Sequence, residues 1–437
     1  MEALLKNYIK RNLSPSIEER TFISDKYNQI ASFFSDGQVF QSGSYARFTS
    51  ISPVNDLDIV WTLPEDFIRL NKSISVEDIN PERVIHDLAS FLEKEYKAAG
   101  EEVNVIPQTH SIGVYFGNKD DFSIDIVPAI PLAEKNEFGD CLYSVPELLK
   151  LSRSLRKKLY SSGEKISWKK SDPKGYARVS SIVNDSNDSF RKVVKFIKSW
   201  RRSCKKNYPL LSLKSFHLEI IIYQVFLNNP DIGVVPAVRK FFEILPSYLN
   251  KPIINDRADN SVFIDEYLNG VSDFDKREIK YLCELALRHL NSITDDRDIK
   301  LLISALDDGE EVIQDQGLVF DDDLGGINIS AEVLPGKGSF RPYTLDSTGN
   351  LIGRKRKIKF SVSISDLMDD YPEGYLKWKV KNRISDYLLE KPRGEITDHH
   401  TLRDPESTEY VGQHYVDCYL IDKDKCVGFS RQYVVIQ

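Results

Sequence analysis

The sequence predicts an α+β protein in three parts, because the spacing of its apolar residues changes twice along the chain. Residues 1–175 mix strand-like runs with helical runs, and residues 176–317 carry long helical runs such as LLSLKSFHLEIIIYQVFLNN. Residues 318–437 carry short runs of period two, separated by turn residues. We therefore expect a mixed first domain, a helical lobe, and a small β-sandwich-like domain at the end of the chain.

The first predicted element is an amphipathic helix from about Pro15 to Phe34. Ser16 and Glu19 are spaced as in a capping box, in which each side chain accepts a hydrogen bond from the backbone N–H of the other residue. The apolar residues behind this start recur at helical spacing, at Ile17, Phe22, Ile23, Tyr27, Ile30 and Phe33.

The most informative motif lies in the stretch FQSGSYARFTSISPVNDLDIVWTLP. Asp56 and Asp58 are two residues apart in a run typical of a strand, so their carboxylates share one face. Carboxylates are the hard oxygen ligands that Mg²⁺ prefers. Gly43 and Ser44 precede the pair by a gap of eleven residues, and a glycine at a strand end lets backbone amides approach a phosphate closely. The combination predicts a metal site that handles a phosphate.

A third carboxylate is needed, because two ligands from one strand leave a metal ion under-coordinated. Asp125, in FSIDIVPAIP, lies in a second strand-like run and is the expected third ligand. Asp120 and Asp121 are alternatives, but they follow Gly117 in a sequence typical of a solvated turn.

These residues resemble the motifs of the DNA polymerase beta-like nucleotidyltransferases. Gly43-Ser44, Asp56-Leu57-Asp58 and the later Asp125-Ile-Val-Pro are similar to those of the CD-NTase family, which is related to cyclic GMP-AMP synthase and oligoadenylate synthase. The resemblance implies a polymerase beta-like palm and two Mg²⁺ or Mn²⁺ ions held by the three aspartates. It further implies that Gly43 and Ser44 bind the triphosphate of an NTP or dNTP.

The same resemblance implies further substrate ligands in residues 189–219. They are Lys198, with Lys195 one turn earlier, and Ser215 at the start of the next helix, where free amides also favour a phosphate. The two lysines could equally belong to a solvated helix face. Ser215 could equally be the N-cap of the second helix, without contact to a substrate. Glu219 is a candidate for orienting one of these groups. Trp168 or Tyr176 is a candidate for stacking on the base, although a core position is the commoner use of a tryptophan.

Residues 350–437 resemble the C-terminal sensor domain of bacterial second-messenger nucleotidyltransferases. This resemblance implies a nucleotide-like ligand that gates the enzyme, although packing or a turn would also account for each residue that carries it. Those residues are Trp378, Asn382, Arg393, Gly394, Tyr410 and His414.

The composition indicates a soluble globular protein, and we expect it in the cytoplasm, without contact to a membrane. The 437 residues carry a net charge of −7 and include five cysteines, without a Cys-x-x-Cys motif. The stretch from Arg153 to Lys206 is strongly basic, which suits either a triphosphate or a solvated helix surface.

The function implied by the resemblance is template-independent synthesis of a short cyclic or linear oligonucleotide signal. Such a signal controls an effector protein in bacterial defence against phage. Two alternatives share the same residues: a linear polymerase that uses dNTPs or ATP, and a nucleotidyltransferase that modifies a tRNA or a protein. A chain that merely binds a nucleotide is disfavoured, because all three aspartates are present.

Overall fold

The computed structural model divides the chain into two compact units. It describes the chain over the residue ranges 1–35, 38–64, 79–117, 122–148, 167–307, 309–335, 341–364, 370–383, 393–398 and 404–437. The first unit comprises Met1–Arg202 and Ser212–Ile303, and the second comprises Ser203–Leu211 and Ser304–Gln437. Asp120, Asp121 and the basic residues of 149–166 lie outside the described residues.

The described helices occur mainly before residue 305. They are α1 Glu2–Tyr8, α2 Ile17–Ala31, α3 Gly43–Ala46, α4 Pro81–Ala98, α5 Pro173–Ser186, α6 Ser189–Asn207, α7 Ser215–Asn228, α8 Val234–Tyr248, α9 Asp273–Asn291 and α10 Asp296–Ser304. A π-helical segment, Ile9–Leu13, continues α1, and short 3₁₀ segments lie at Glu266–Gly270, Ile313–Gln316 and Leu345–Thr348.

The strands of the first unit form one mixed sheet. They are β1 Val39–Gln41, β2 Asp56–Thr62, β3 Asn104–Pro107, β4 Ile112–Tyr115, β5 Ser123–Lys135, β6 Cys141–Glu147 and β7 Ser167–Ser171. Within the described residues the order is β1-β2-β5-β4-β3, and β6 and β7 extend the sheet from β5. Among these described strands, β2 and β5 run parallel and the other neighbours pair antiparallel.

The core of the first unit fixes which way β2 and β5 face. Leu57 and Ile59 of β2 and Ile124 of β5 are fully buried and pack with Leu88 and neighbouring residues of α4. Burying an aliphatic side chain of this size contributes about 1.5–3 kcal/mol. Because side chains alternate along a strand, residues 56, 58 and 125 point to the opposite face.

The predicted capping box is confirmed, and it also positions β2. Glu19 N donates to Ser16 Oγ at 3.1 Å, and Ser16 N donates to Glu19 Oε2 at 2.9 Å. The same carboxylate accepts hydrogen bonds from Ser52 Oγ (2.7 Å) and Val54 N (3.1 Å), so the start of α2 anchors the loop before Asp56. Helix α1 was not predicted, although Leu5, Tyr8 and Ile9 are buried at helical spacing.

The second unit is a β-sandwich, as the sequence predicted. Its strands are β8 Val319–Gly326, β9 Asn328–Leu334, β10 Tyr343–Thr344, β11 Leu351–Ile352, β12 Lys357–Ser363, β13 Tyr375–Lys381, β14 Ile396–Thr397, β15 Glu406–Ser407, β16 Gly412–Asp422 and β17 Lys425–Ile436. One described sheet has the order β10-β9-β12-β15, and the other has the order β11-β17-β16-β13-β14 with β8 beside β17. Val333, Phe360, Trp378 and Cys418 share the core between them.

Candidate active site

The three predicted aspartates lie together on neighbouring strands. In the parallel register of β2 and β5, Asp58 is directly opposite Asp125, and Asp56 is opposite Ser123. Each of the three carboxylates is close enough to influence the ionisation of at least one of the others. The convergence predicted from the sequence is therefore present in the fold.

Gly43 lies against the side chain of Asp58 in a way that only glycine permits. Its φ is +63°, and a Cβ atom built on it would lie 1.6 Å from Asp58 Oδ2 and 2.4 Å from Asp58 Cγ. The preceding residue, Ser42, donates its N–H to the Asp58 carbonyl at 2.8 Å. The start of α3, with Gly43 and Ser44, is thus held directly against Asp58.

Burial and mutual repulsion determine how the carboxyl groups of Asp58 and Asp125 ionise. Burial, together with the charges of Asp56 and Asp125, raises the pKa of Asp58 to about 6. Burial and the charge of Asp56 also raise the pKa of Asp125, while a hydrogen bond from Gln108 opposes the rise. A bound cation would relieve this repulsion, which is the electrostatic condition expected of a metal site.

Gln108 was missed by the sequence reasoning. Its Nε2 donates to Asp125 Oδ1 at 3.1 Å, and its Oε1 accepts from Ser111 Oγ at 2.8 Å. Gly113, opposite Asp125 on β4, leaves room for it, since a Cβ there would lie 2.6 Å from Gln108 Nε2. A glutamine after a short strand is too common a feature to have indicated this contact.

In the part of the chain that the structure describes, no three acidic, histidine or cysteine side chains are gathered tightly enough to form a ready-made metal site. The donor set nevertheless fits Mg²⁺ or Mn²⁺, because it consists of hard carboxylate oxygens from two adjacent strands.

A buried ionic cluster lies beside the acidic group and contains the predicted Lys198 and Glu219. Glu219 Oε1 accepts from Arg47 Nε at 2.7 Å, and Glu219 Oε2 lies 2.8 Å from Lys198 Nζ. Thr49 bridges the two, accepting from Lys198 Nζ and donating to Glu219 Oε2, each at 3.1 Å. Burial on its own would raise the pKa of Glu219, but Arg47 and Lys198 outweigh it and hold the pKa at about 2. Glu219 therefore stays ionised and fixes both cations.

Arg47 and Lys198 of this cluster line a cavity of about 490 Å³ within the first unit, together with Asp56 and Asp58. Of the predicted residues, Gly43, Ser44, Asp56, Asp58, Lys198, Ser215 and Tyr176 line it. Ser215 is the first residue of α7 and the N-cap is Lys214, so the alternative interpretation of Ser215 as an N-cap is wrong. Asp125 is not among the lining residues, although it faces Asp58 across the strand pair.

Lys195 is not brought to this cavity. It lies in a separate cavity of about 400 Å³ with Lys6, Lys10, Arg191 and Lys192, where its Nζ donates to Ser14 Oγ at 3.1 Å. Burial and the positive charge of Arg191 and other neighbours lower the pKa of Lys195 to about 8. One helical turn along α6 separates the two lysines, but only Lys198 reaches the acidic site.

Trp168 packs against the core, whereas Tyr176 lines the cavity. The Trp168 indole donates to the Ile79 carbonyl at 2.8 Å and packs against Leu63 and Ile130. Tyr176 makes an edge-to-face contact with Phe216, with ring centroids 4.9 Å apart, and both line the cavity.

Most of the residues that carry the C-terminal resemblance make structural contacts. Trp378 is in the sandwich core, and Arg393 pairs with Glu406 at 2.7 Å. His414 Nδ1 accepts from Arg383 N at 3.0 Å, and Gly394 leaves space for the Gly309 carbonyl, which would lie 2.4 Å from a Cβ. These contacts support the packing interpretation of those positions.

Comparisons with known families identify two domains in the chain. Residues 2–143 match the Second Messenger Oligonucleotide or Dinucleotide Synthetase domain (SMODS), and residues 309–437 match the Adenylyl/Guanylyl and SMODS C-terminal sensor domain (AGS_C). The chain is 27% identical over 236 residues to a cyclic AMP-AMP-AMP synthase of Escherichia coli (strain MS 115-1). That alignment covers 54% of this chain and 62% of the relative, so it spans less than two thirds of the relative's length.

Solved structures share the fold at low sequence identity. The structure of E. coli MS115-1 CdnC with ATP has a TM-score of 0.52 at 16% identity, covering 70% of this chain and 98% of that one. The CdnC:HORMA-deltaN complex has a TM-score of 0.51 at 17% identity, covering 70% of this chain and 96% of that one. Both similarities bear on the fold alone.

The polymerase beta-like sheet, with its aspartates and its Gly-Ser turn, defines the class of nucleotidyltransferases, as the sequence predicted. The chain carries a SMODS domain followed by an AGS_C sensor domain and is similar to the CD-NTase family of that class. Among the described helices, none is both long and apolar enough to cross a bilayer.

Proposed function

We propose that the protein is a metal-dependent, template-independent nucleotidyltransferase that joins nucleotides from NTPs into a short oligonucleotide signal. One observation carries the proposal: Asp56, Asp58 and Asp125 occupy one face of the β2–β5 pair, with Gly43 packed against Asp58. The SMODS domain and the relative's name as a cyclic AMP-AMP-AMP synthase support it.

In this proposal Asp56, Asp58 and Asp125 hold two Mg²⁺ or Mn²⁺ ions. Bound there, the ions would activate the attacking oxygen and neutralise the leaving pyrophosphate. The glycine at position 43 keeps the Asp58 carboxylate in place, and Gln108 holds one oxygen of Asp125.

The substrate triphosphate lies on the Gly43-Ser44 turn, with Lys198 and Ser215 toward its far end. Glu219 and Thr49 position the Lys198 ammonium, and the second cation of their cluster, Arg47, also lines the cavity. Lys195 has no part in this arrangement, because it lies in the other cavity.

The reaction joins the acceptor hydroxyl oxygen to the α-phosphorus of an NTP and breaks the bond to pyrophosphate. Asp125 is the proton acceptor for that hydroxyl, through the oxygen that Gln108 does not occupy.

The product, cyclic or linear, is proposed to act as a second messenger on an effector protein in anti-phage defence. The C-terminal sandwich is proposed to bind a nucleotide-like ligand that controls synthesis. We place the protein in the cytoplasm, where its NTP or dNTP substrates are available.

Product analysis tests the proposal. Purified protein is incubated with Mg²⁺ or Mn²⁺ and each NTP and dNTP, singly and mixed, and the products are identified by mass spectrometry. The wild type should form an oligonucleotide and pyrophosphate, and an Asp56→Ala, Asp58→Ala double variant should form neither. An Asp231→Ala, Glu243→Ala variant, which removes two exposed acids of the same unit, should match the wild type.

Equal turnover by the acidic-site variant would refute the assignment of the chemistry. A linear product would identify an oligonucleotide polymerase. Transfer that requires added tRNA or protein would identify a modifying enzyme.

A further inference from the structure

Asp256 is an acidic residue in the wall of a cavity that is otherwise suited to a triphosphate. Besides the metal-site aspartates, the cavity is lined by Arg47, Lys169, Lys170 and Lys198, which all attract phosphate. A carboxylate repels phosphate, so Asp256 needs a ligand that donates hydrogen bonds.

A series of contacts connects the acidic site to Asp256. The Arg47 guanidinium lies 5.1 Å from the centroid of the Phe216 ring, and Phe216 contacts Tyr176 edge to face. The Tyr176 hydroxyl accepts from the backbone N–H of Arg257 at 3.2 Å, which places Asp256 next to the aromatic pair. Because Gly43 and Asp256 line the same cavity, a nucleotide with its phosphates at Gly43 occupies a space that Asp256 borders.

The Asp256 carboxylate is only partly used by the protein. Its Oδ1 accepts from Ala258 N at 2.8 Å, and no other described residue forms a hydrogen bond or a salt bridge with the side chain. Burial raises the pKa of Asp256, while the Ala258 amide and the nearby Lys169 favour its ionised form. Most of its lone-pair sites therefore remain available to a ligand.

The loop that carries Asp256 is held firmly in place. Asp256 N donates to the Val262 carbonyl at 2.8 Å, and Asn255 and Phe263 form an isolated β-bridge. The buried Asp265 carboxylate accepts from the backbone N–H groups of Ile253 (3.0 Å) and Ile254 (3.1 Å). A fixed carboxylate discriminates between ligands better than a mobile one, because no ordering is needed on binding.

The two oxygens of a carboxylate match two adjacent donors, and guanine is the common base that presents them, as N1–H and the N2 amino group. Adenine and cytosine each place a ring acceptor next to their single amino donor, and uracil places carbonyl acceptors on both sides of its N3–H. In those three cases a lone pair faces a carboxylate oxygen, which is unfavourable.

We propose that Asp256 is a specificity-determining residue that selects guanine at one of the nucleotide positions of this cavity. The proposal rests on the proposed function, because it assumes that the Gly43 end of the cavity holds the triphosphate. The carboxylate accepts from the N1–H and the N2 amino group of the base, beside the aromatic wall of Tyr176 and Phe216. Only hydrogen bonds form, so no bond of the nucleotide is broken in this step.

Equilibrium binding tests the proposal without requiring turnover. Calorimetry in the presence of Mg²⁺ measures the affinity of the protein for the α,β-methylene triphosphate analogues of guanosine, inosine and adenosine. The α–β bridge of these analogues cannot be cleaved. Inosine keeps N1–H and lacks only the N2 amino group. We expect the wild type to bind the guanosine analogue about 5- to 150-fold more tightly than the adenosine analogue, with inosine between them.

The variant Asp256→Asn replaces one acceptor by a donor and keeps the shape. It should bind guanosine and inosine analogues equally and leave the affinity for the adenosine analogue within about twofold of the wild-type value. Asp231→Asn, at an exposed site in the same unit, makes the same charge change and should retain the wild-type order. Comparing the affinities of the wild type for the guanosine and inosine analogues needs no variant. This comparison therefore tests the proposal even if Asp256→Asn does not fold.

An adenosine preference of the wild type would overturn the proposal, and the name of the E. coli relative makes this a real alternative. Equal affinity of the wild type for the guanosine and inosine analogues would also overturn it, as would an equal loss of affinity for all three analogues in Asp256→Asn. Selective guanosine binding by a protein that forms no product from any NTP would instead contradict only the proposed function.

Discussion

At the scale of single residues, the contact between Gly43 and Asp58 explains why a short motif identifies this site. The positive φ of Gly43 and the 1.6 Å separation that a Cβ would have from Asp58 Oδ2 are two independent reasons for glycine at this position. Burial and the acidic neighbours of Asp58 raise the pKa of its carboxyl group. Both properties lead to a measurable prediction.

Replacing Gly43 with alanine should inactivate the enzyme by displacing the Asp58 carboxylate. A displacement of about 1 Å in a catalytic group lowers activity by roughly 100-fold, so we expect a loss of at least that size in the initial rate of pyrophosphate release. Gly100→Ala is the matched control, because Gly100 also has a positive φ, +72°, but nothing lies within 4 Å of its Cβ position. It should lose stability by about 1–2 kcal/mol and keep its activity. Equal activity losses in both variants would contradict the steric explanation.

Manganese affinity should fall in mild acid, because protons compete with the metal for Asp58. With the pKa of this carboxyl at about 6, the apparent Kd for Mn²⁺ should increase by up to about tenfold for each pH unit below 6 and level off above 7. Electron paramagnetic resonance of free Mn²⁺ measures this in the apoprotein. A Kd that stays constant between pH 7 and pH 5 would show that Asp58 is not a ligand.

At the scale of elements, the site depends on helices α6 and α7 being held to the loop after α3. Glu219 on α7 accepts from Arg47 and Thr49 of that loop and pairs with Lys198 on α6. Removing one partner of a buried ion pair leaves an uncompensated charge, which makes such clusters sensitive to mutation.

Glu219→Gln should destabilise the first unit by about 3–5 kcal/mol, because Arg47 and Lys198 would remain buried without their counter-ion. Urea unfolding followed by tryptophan fluorescence measures the change. Asp188→Asn breaks the exposed pair between Asp188, the residue before α6, and Lys192 on α6, and should cost no more than about 1 kcal/mol. If the two variants were equally stable, the cluster would have no structural role.

At the scale of the whole molecule, the two units differ in how their cores are built. The first buries helices α2 and α4 against a mixed sheet, and the second buries two sheets against each other. Each unit also contains a buried histidine, His217 in the first and His414 in the second, whose pKa is lowered by burial. Such histidines couple folding to pH.

The free energy of unfolding of the first unit should therefore decrease on mild acidification, because His217 is buried there. Burial lowers the pKa of His217 to about 4 from 6.5, so between these values the unfolded chain binds more protons than the folded one. The stabilisation is fully present above pH 6.5 and is lost as the pH falls toward 4, by at most about 3 kcal/mol. His217→Gln should flatten the dependence of Tm on pH between 7 and 5 and leave the slope above pH 7 unchanged. An identical Tm curve for the variant below pH 6.5 would exclude this histidine as the cause.

The sequence by itself determined the α+β class, the capped helix α2, the β-sandwich and the three aspartates. These follow from local rules: the hydrophobic period distinguishes helix from strand, and the two-residue repeat of a strand places Asp56 and Asp58 on one face. The fold class and the resemblance to the family are confirmed, whereas the catalytic roles of individual residues stay predictions.

Only the tertiary structure decided which of the remaining polar residues reach the cavity. Lys195 and Lys198 are equivalent by sequence, yet the packing of α6 directs them to different cavities. Arg47 and Asp256 come from loops and line the cavity, and Gln108, also from a loop, contacts Asp125. Contacts between residues distant in the chain bring all three to these positions. Local periodicity carries no information about such contacts, because they depend on how whole elements pack.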